Sequence, residues 1–224
     1  MGHILSLETA SQACSVAVSH EAAIISEEHI SEGMRHSAAL TTLIHNTLRD
    51  ADLNISDLDA VAISDGPGSY TGLRVGASTA KAICYAQDIP LIAVSTLQGI
   101  AHQYDRGHSI VLSTLDARRM EVYGAFYQEK QEISDVQSII WDEAYIKELT
   151  SKHPDIFICG TGVEKAKDLF DPYPSIQYEE IECRASYLVL PAWDKYQAKD
   201  FVDIAYHSPN YFKKPNVTVP KAKI

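Results

Sequence analysis

The sequence has no run of about 18 uncharged apolar residues, so no membrane-spanning helix is expected. Its opening, Met1-Gly2-His3 ahead of a strand-like run, lacks a basic region followed by an apolar core. No secretory leader is therefore expected, and a cytoplasmic location follows. Cysteine is scarce: four occur, at 14, 84, 159 and 183, without metal or redox spacing. Each sits in or beside an apolar run, the setting of buried free thiols in a reducing compartment. Positive charge is also short. The 19 Lys and Arg stand against 30 Asp and Glu, a formal net charge of −11. Such a surface does not gather polyanions, because phosphate contacts need Lys and Arg to release counterions. If nucleic acid is involved, a partner carries most of the binding. The C-terminus departs from this balance: no acid follows Asp203, whereas Lys213, Lys214, Lys221 and Lys223 do. That stretch reads either as a solvated tail or as a basic arm for an acidic partner or RNA.

What is present is 224 residues with 46% hydrophobic content, enough for one large domain or two lobes. Ile4 to Glu8, Cys14 to Ser19 and Ala22 to Ile30 read as three antiparallel strands separated by turn residues. Leu40, Leu43, Ile44, Leu48 and Ala51 form a helical stripe from Ser37 to Ala51. A buried strand at Ala60 to Ile63 leads to a glycine-rich turn and a helix from Thr71 to Ala86. Pro90 to Val94 is a further strand, and Ser95 suits a helix cap. The second half repeats the pattern without repeating the letters. Strands are expected at Ser109 to Leu115, Glu121 to Tyr127 and Ile133 to Ile140, and a helix at Trp141 to Ser151. Ile156 to Cys159, a helix through Leu169, a strand near Ile176 and a helix at 185–199 complete it. Helical crossovers imply parallel strands with right-handed connections. The fold class is α/β, two tandem ribonuclease-H-like lobes, the layout of actin, Hsp70 and sugar kinases. Residues 1–105 form the first lobe, 106–204 the second, and 205–224 a basic tail. By analogy with that layout, helix 185–199 returns to the first lobe.

The most informative stretch runs from Asp65 to Gly76. Gly66 and Gly68 can take positive φ, Pro67 fixes its own, and Ser69 or Thr71 can cap the following helix. Exposed N–H groups at such a terminus can hold an anion, but no Gly-Lys-Ser/Thr follows to make a P-loop. On the helix, Gly72, Gly76, Thr79, Ala80 and Ile83 share one face. Small residues there let another element approach closely, either this lobe's own or a partner's helix. The two helical glycines cost roughly 1 kcal/mol each relative to Ala, which close packing would offset.

The run Gly66-Pro-Gly-Ser-Tyr-Thr-Gly-Leu-Arg-Val-Gly76 closely resembles the signature of the TsaB family, also called YeaZ, with Tyr70 where Phe is usual. Three further stretches resemble the family in the expected order: Ile4 to Ser11, His36-Ser37 with Leu40, and Asp116-Ala-Arg-Arg-Met-Glu-Val-Tyr123. The resemblance covers nearly the whole chain and weakens beyond about residue 170. It departs at Glu8, where members commonly carry Asp. In active kinases of this fold that acid helps to handle the nucleotide's metal, and a longer Glu is a poor geometric substitute.

The resemblance implies a largely non-catalytic subunit. Its relative TsaD binds metal through a His-x-x-x-His pair on its first helix. Here His36 is followed four residues later by Leu40, and His45 lies half a turn away from His36, so no such pair forms. No Gly-x-Ser-x-Gly elbow is present, and no cysteine is marked as a nucleophile. By resemblance the chain pairs with TsaD, which places threonylcarbamoyl on N6 of adenosine 37 in tRNAs reading codons that begin with A. It also helps to dock the ATPase TsaE. ATP or ADP and metal are then expected in the partner subunits, with none intrinsic to this chain. Candidate interface residues are His36, Leu40, Leu43, Gly72, Arg74, Val75, Gly76 and Thr79, and the same surface would serve a homodimer when TsaD is absent. Candidate cleft or anion-binding residues are Gly66, Gly68, Ser69, Asp116, Arg118, Arg119, Glu121, Gly160 and Gly162. The alternative is a stand-alone ATP-dependent small-molecule kinase or metal-dependent hydrolase of the same fold.

Overall fold

The computed structural model describes residues 2–31, 36–104 and 110–213, with the backbone path alone for 36–38. Its first sheet has the order β3-β2-β1-β4-β5. The strands are β1 (His3–Glu8), β2 (Cys14–His20), β3 (Ala23–Ile30), β4 (Ala60–Ser64) and β5 (Leu91–Val94). The first three are antiparallel, and β1, β4 and β5 run parallel. Strand alternation divides the apolar residues between two faces. Leu5 and Leu7, Val16 and Val18, and Val61 and Ile63 face one side, beneath α1 (His36–Asp50) and α2 (Tyr70–Gln87). Ile4, Ala60, Ala62, Ile92 and Val94 face the other.

The second sheet has the order β11-β10-β6-β7-β8, with β9 also on β7. Its strands are β6 (Ile110–Asp116), β7 (Glu121–Gln128), β8 (Gln131–Glu132), β9 (Gln137–Ile140), β10 (Ile156–Gly160) and β11 (Ile176–Glu179). The strand expected over Ile133 to Ile140 is thus shortened to β9, and β8 lies ahead of it. Ser134 Oγ accepts the Phe126 N–H at 2.9 Å, replacing a ladder bond and turning the chain away. The helix expected from Trp141 begins two residues later as α4 (Glu143–Lys152), because Asp142 caps it by accepting the Tyr145 N–H at 2.7 Å. Trp141 instead fills the core, and its indole N–H donates to Gly162 O at 3.0 Å. The helix expected through Leu169 shrinks to a 3₁₀ turn and the single-turn α5 (Lys167–Phe170).

The lobes exchange helices. α3 (Thr96–Ala101), capped by Ser95, follows directly on β5 but packs on the second sheet, where Leu97 and Ile100 join Leu115, Tyr123 and Phe157. A boundary at residue 105 therefore falls too late: on packing grounds the first lobe ends with β5. In return, α6 (Val189–Ala198), entered by a 3₁₀ turn at Ala185–Leu188, packs on the first sheet. Leu188 and Ala192 cover Ile4, Ala62 and Ile92. Pro191 is tolerated because the first turn of a helix leaves its N–H groups unbonded anyway. The returning chain is pinned where Ala185 N donates to Ser15 Oγ at 2.6 Å and Ser186 N to Glu27 Oε1 at 3.0 Å.

Candidate interface and interlobe cleft

Two regions of the first lobe carry the residues singled out by sequence. One is the glycine turn joining β4 to α2. Ser69 Oγ accepts the Gly72 N–H at 3.2 Å and caps α2, while Ser69 N donates to Ala10 O at 2.6 Å. Gly66 has φ +111°, a conformation that side chains avoid, and a Cβ there would lie 2.5 Å from Asn210 O. The turn is therefore closed on both sides by the chain's own carbonyls. A carbonyl oxygen repels a phosphate, so Gly66, Gly68 and Ser69 do not form an open anion cradle in this conformation.

The glycine face of α2 is likewise spent inside the lobe. A Cβ at Gly72 would fall 2.0 Å from Thr9 O, and one at Gly76 would fall 2.4 Å from Thr9 Oγ1. Gly72 and Gly76 are required by the β1–β2 turn, which corrects their assignment as partner contacts. Leu40 and Leu43 need the same correction, because both are buried in the core beneath α1. The backbone of His36 starts α1, but its side chain lies outside the described residues. Val75 and Thr79 are half-buried and Arg74 is exposed, so these three retain surface.

The second region is the outer side of α1 and α2. Between them runs a groove of about 920 Å³. On α1 it is lined by Thr41, Ile44, His45, Leu48 and Arg49, a stripe at helical spacing one position around from the buried one, with Asp52 just past the helix end. On α2 it is lined by Ser78, Thr79, Ala82 and Ile83. Of the sequence candidates only Thr79 lies in it. The signal was present: small or apolar residues on α1 and α2 extend beyond the arc that one sheet can cover.

Glu8 ends β1 and is 1% exposed. Its Oε1 accepts the Ala10 N–H at 2.6 Å. Burial pushes its carboxyl up from 4.5 to about 7, against hydrogen bonds from Ala10, Ser64 and Thr9 that lower it. The side chain is thus folded under its own turn.

On the second lobe, the β6–β7 turn puts Arg118 and Arg119 at φ +74° and +54°, both exposed. Arg118 N donates to Asp116 Oδ1 at 2.8 Å. Lys165, unmarked in the sequence, pairs with the Asp116 carboxylate and donates to Glu121 O at 2.6 Å. The Glu121 carboxylate pairs with Lys213 and accepts from Ser138. Lys213, then Ser138, holds Glu121 below the usual carboxylate range. The acids are thus committed to internal partners and leave the arginines at the tip. Gly160 and Gly162 pack against Thr114 and Val122, where a Cβ would come within 1.9 Å and 2.7 Å of other atoms. They too close their own turn instead of opening an anion site.

The C-terminal residues 202–213 are docked rather than free, which corrects the reading of this stretch as a solvated tail as far as Lys213. Lys214, Lys221 and Lys223 lie outside the described residues.

Two mixed sheets, flanked by helices that the lobes exchange, define the class: a two-lobed protein of the actin and sugar-kinase architecture. Component A of the (R)-2-hydroxyglutaryl-CoA dehydratase of Acidaminococcus fermentans shares this fold, with a TM-score of 0.56 at 9% identity, covering 89% of this chain and all of that one. More specific is YeaZ from Pseudomonas aeruginosa, with a TM-score of 0.79 at 25% identity, covering 95% of this chain and 100% of that one. Residues 22–211 match the family model described as TsaD: tRNA N6-adenosine threonylcarbamoyltransferase. The tRNA threonylcarbamoyladenosine biosynthesis protein TsaB of Haemophilus influenzae is 31% identical over 176 residues, 71% of this chain and 72% of that protein. Its counterpart in Bacillus subtilis is 34% identical over 127 residues, 57% of this chain and 56% of that protein. The match to the Escherichia coli TsaB also spans 56% of the relative, so the chain covers little more than half of these two proteins. The chain belongs to the TsaB (YeaZ) family.

Proposed function

We propose that this chain is the non-catalytic partner of a TsaD-type threonylcarbamoyltransferase in forming N6-threonylcarbamoyladenosine at position 37 of tRNA. The observation that carries the reading is the α1–α2 groove, open and largely apolar, on a chain whose cleft acids are buried or paired. Two helices presenting such a groove suit a partner that offers two helices of its own, a four-helix contact with coiled-coil-like packing. Holding a partner in its active conformer needs differential affinity for that conformer, not chemistry. ATP or ADP and metal then belong to the partner subunits, TsaE docks on the pair, and tRNA is held through the complex. The acidic net charge supports that division of labour. In the absence of TsaD the same groove serves a homodimer.

The test is co-purification with the host's TsaD-type protein. Thr79→Arg and Ala82→Arg place charge in the groove without entering the core and should abolish capture. Retained capture by both folded variants would place the interface elsewhere. Tight magnesium-ATP binding with turnover by the purified chain would overturn the non-catalytic assignment.

A further inference from the structure

The C-terminal segment touches both lobes. It leaves the first sheet at Val202, which forms a bridge with Leu91. His207 Nε2 then meets Asp65 Oδ1 at 2.8 Å, both side chains largely buried. Lys81 Nζ of α2 donates to His207 O at 2.6 Å, and Asn210 N donates to Asp65 O at 2.7 Å. Pro209 is buried, so this stretch lies in the surface and not above it. Tyr211 packs on Tyr70 with ring centroids 4.8 Å apart and accepts the Arg74 Nε–H at 3.3 Å. One residue later the chain is on the other lobe. Phe212 packs on Tyr123 at 5.7 Å, and Lys213 pairs with Glu121.

We propose that residues 207–213 are a strap that sets the angle between the two lobes, anchored on the glycine turn and α2 at one end and on β7 at the other. Lobes of this architecture are joined by chain crossings that permit hinge motion, and a third connection made only of side-chain and backbone contacts can be released and remade. The anchors alternate in chemistry: a buried His–Asp contact, an aromatic and guanidinium stack, then an ion pair over an aromatic ring. Losing one weakens the strap without removing an element of either core. The same segment places Asn210 O over Gly66, so the strapped state is also the state in which the turn is covered. The proposal does not depend on what occupies the α1–α2 groove.

The test uses the full-length chain with spin labels at cysteines introduced for Asp50 in α1 and Ser151 in α4, since the four native thiols are buried. The parent should give one narrow interlobe distance. Phe212→Ala with Lys213→Ala, which cuts only the second-lobe landing, should broaden that distribution at least about twofold. His207→Ala with Tyr211→Ala, which removes the side-chain contacts of the first-lobe anchor, should broaden it to a similar extent. Unchanged far-ultraviolet circular dichroism and melting within a few degrees would show both variants folded. A narrow distribution in both would show that the covalent crossings alone fix the lobes and would overturn the proposal. Broadening by one variant alone would also overturn it, because a strap fails when either end is cut.

Discussion

The two sides of α2 are treated oppositely. Its N-terminal end and glycine face are closed by the chain itself: Thr9 lies against Gly72 and Gly76, Ala10 against Gly68, and Asn210 over Gly66. Its outer side, with α1, is left open as a groove of about 920 Å³. The first of these regions meets the segment that crosses to the second lobe, and the second faces outward. The glycine turn is filled by the chain's own atoms, and the outer groove is uncovered. The contrast separates the glycines, which serve folding, from the residues available for recognition.

The contrast can be broken most severely at Gly72. Gly72→Leu drives a side chain onto the Thr9 carbonyl, which belongs to backbone and cannot step aside. A loss of about 4 kcal/mol or failure to fold is expected in urea denaturation. Partner binding would then be lost for a structural reason, which makes this position a control for interface variants. Glu8→Gln comes next. In the native state Glu8 titrates near 7 instead of 4.5. Between those values the folded chain holds a proton that the unfolded chain has released, so stability falls as pH rises through that window and is level above it. The stability is fully present below about 4.5 and gone above about 7, a change on the order of 3 kcal/mol. Glu8→Gln should flatten this dependence and leave the variant more stable than the parent at pH 8. Unfolding free energies at pH 5 and pH 8 decide it, and parallel slopes would sink the idea. Ala82→Arg should weaken partner binding by about a hundredfold, with the melting temperature nearly unchanged. Interferometry against the immobilised partner measures this. Smallest is Lys152→Ala. It removes an exposed pair with Glu148 on α4, far from either region, and should change stability by less than about 0.5 kcal/mol.

Much of the fold was legible because its signals are local. The three opening strands alternate cleanly, and Ser69 and Ser95 announce helices through their capping chemistry. The second half was less legible where a single side chain decided the outcome. Ser134 breaks a strand by taking the place of a backbone partner, and Asp142 takes the first turn of a helix from Trp141. The helix exchange had no signal in periodicity, since α3 and α6 would look the same packed on either sheet. Family resemblance located the glycine signature, but spacing could not say which side of α2 its small residues serve. Close approach by Thr9 settles that, and Thr9 lies more than sixty residues away in the chain. Lys165, His207 and Tyr211 were invisible for the same reason: each matters through a partner distant in sequence.

The exchange of α3 and α6 also fixes an order in time. While the chain is being synthesised, Ile4, Ala60, Ala62, Ile92 and Val94 form an apolar face for which the covering residues, Leu188 and Ala192, have yet to be made. The first sheet therefore waits, one side bare, for about a hundred residues of further translation. A ribosome stalled midway would display that face to any chaperone or neighbouring chain. Residues 1–105 made alone should aggregate, however well their own strands pair.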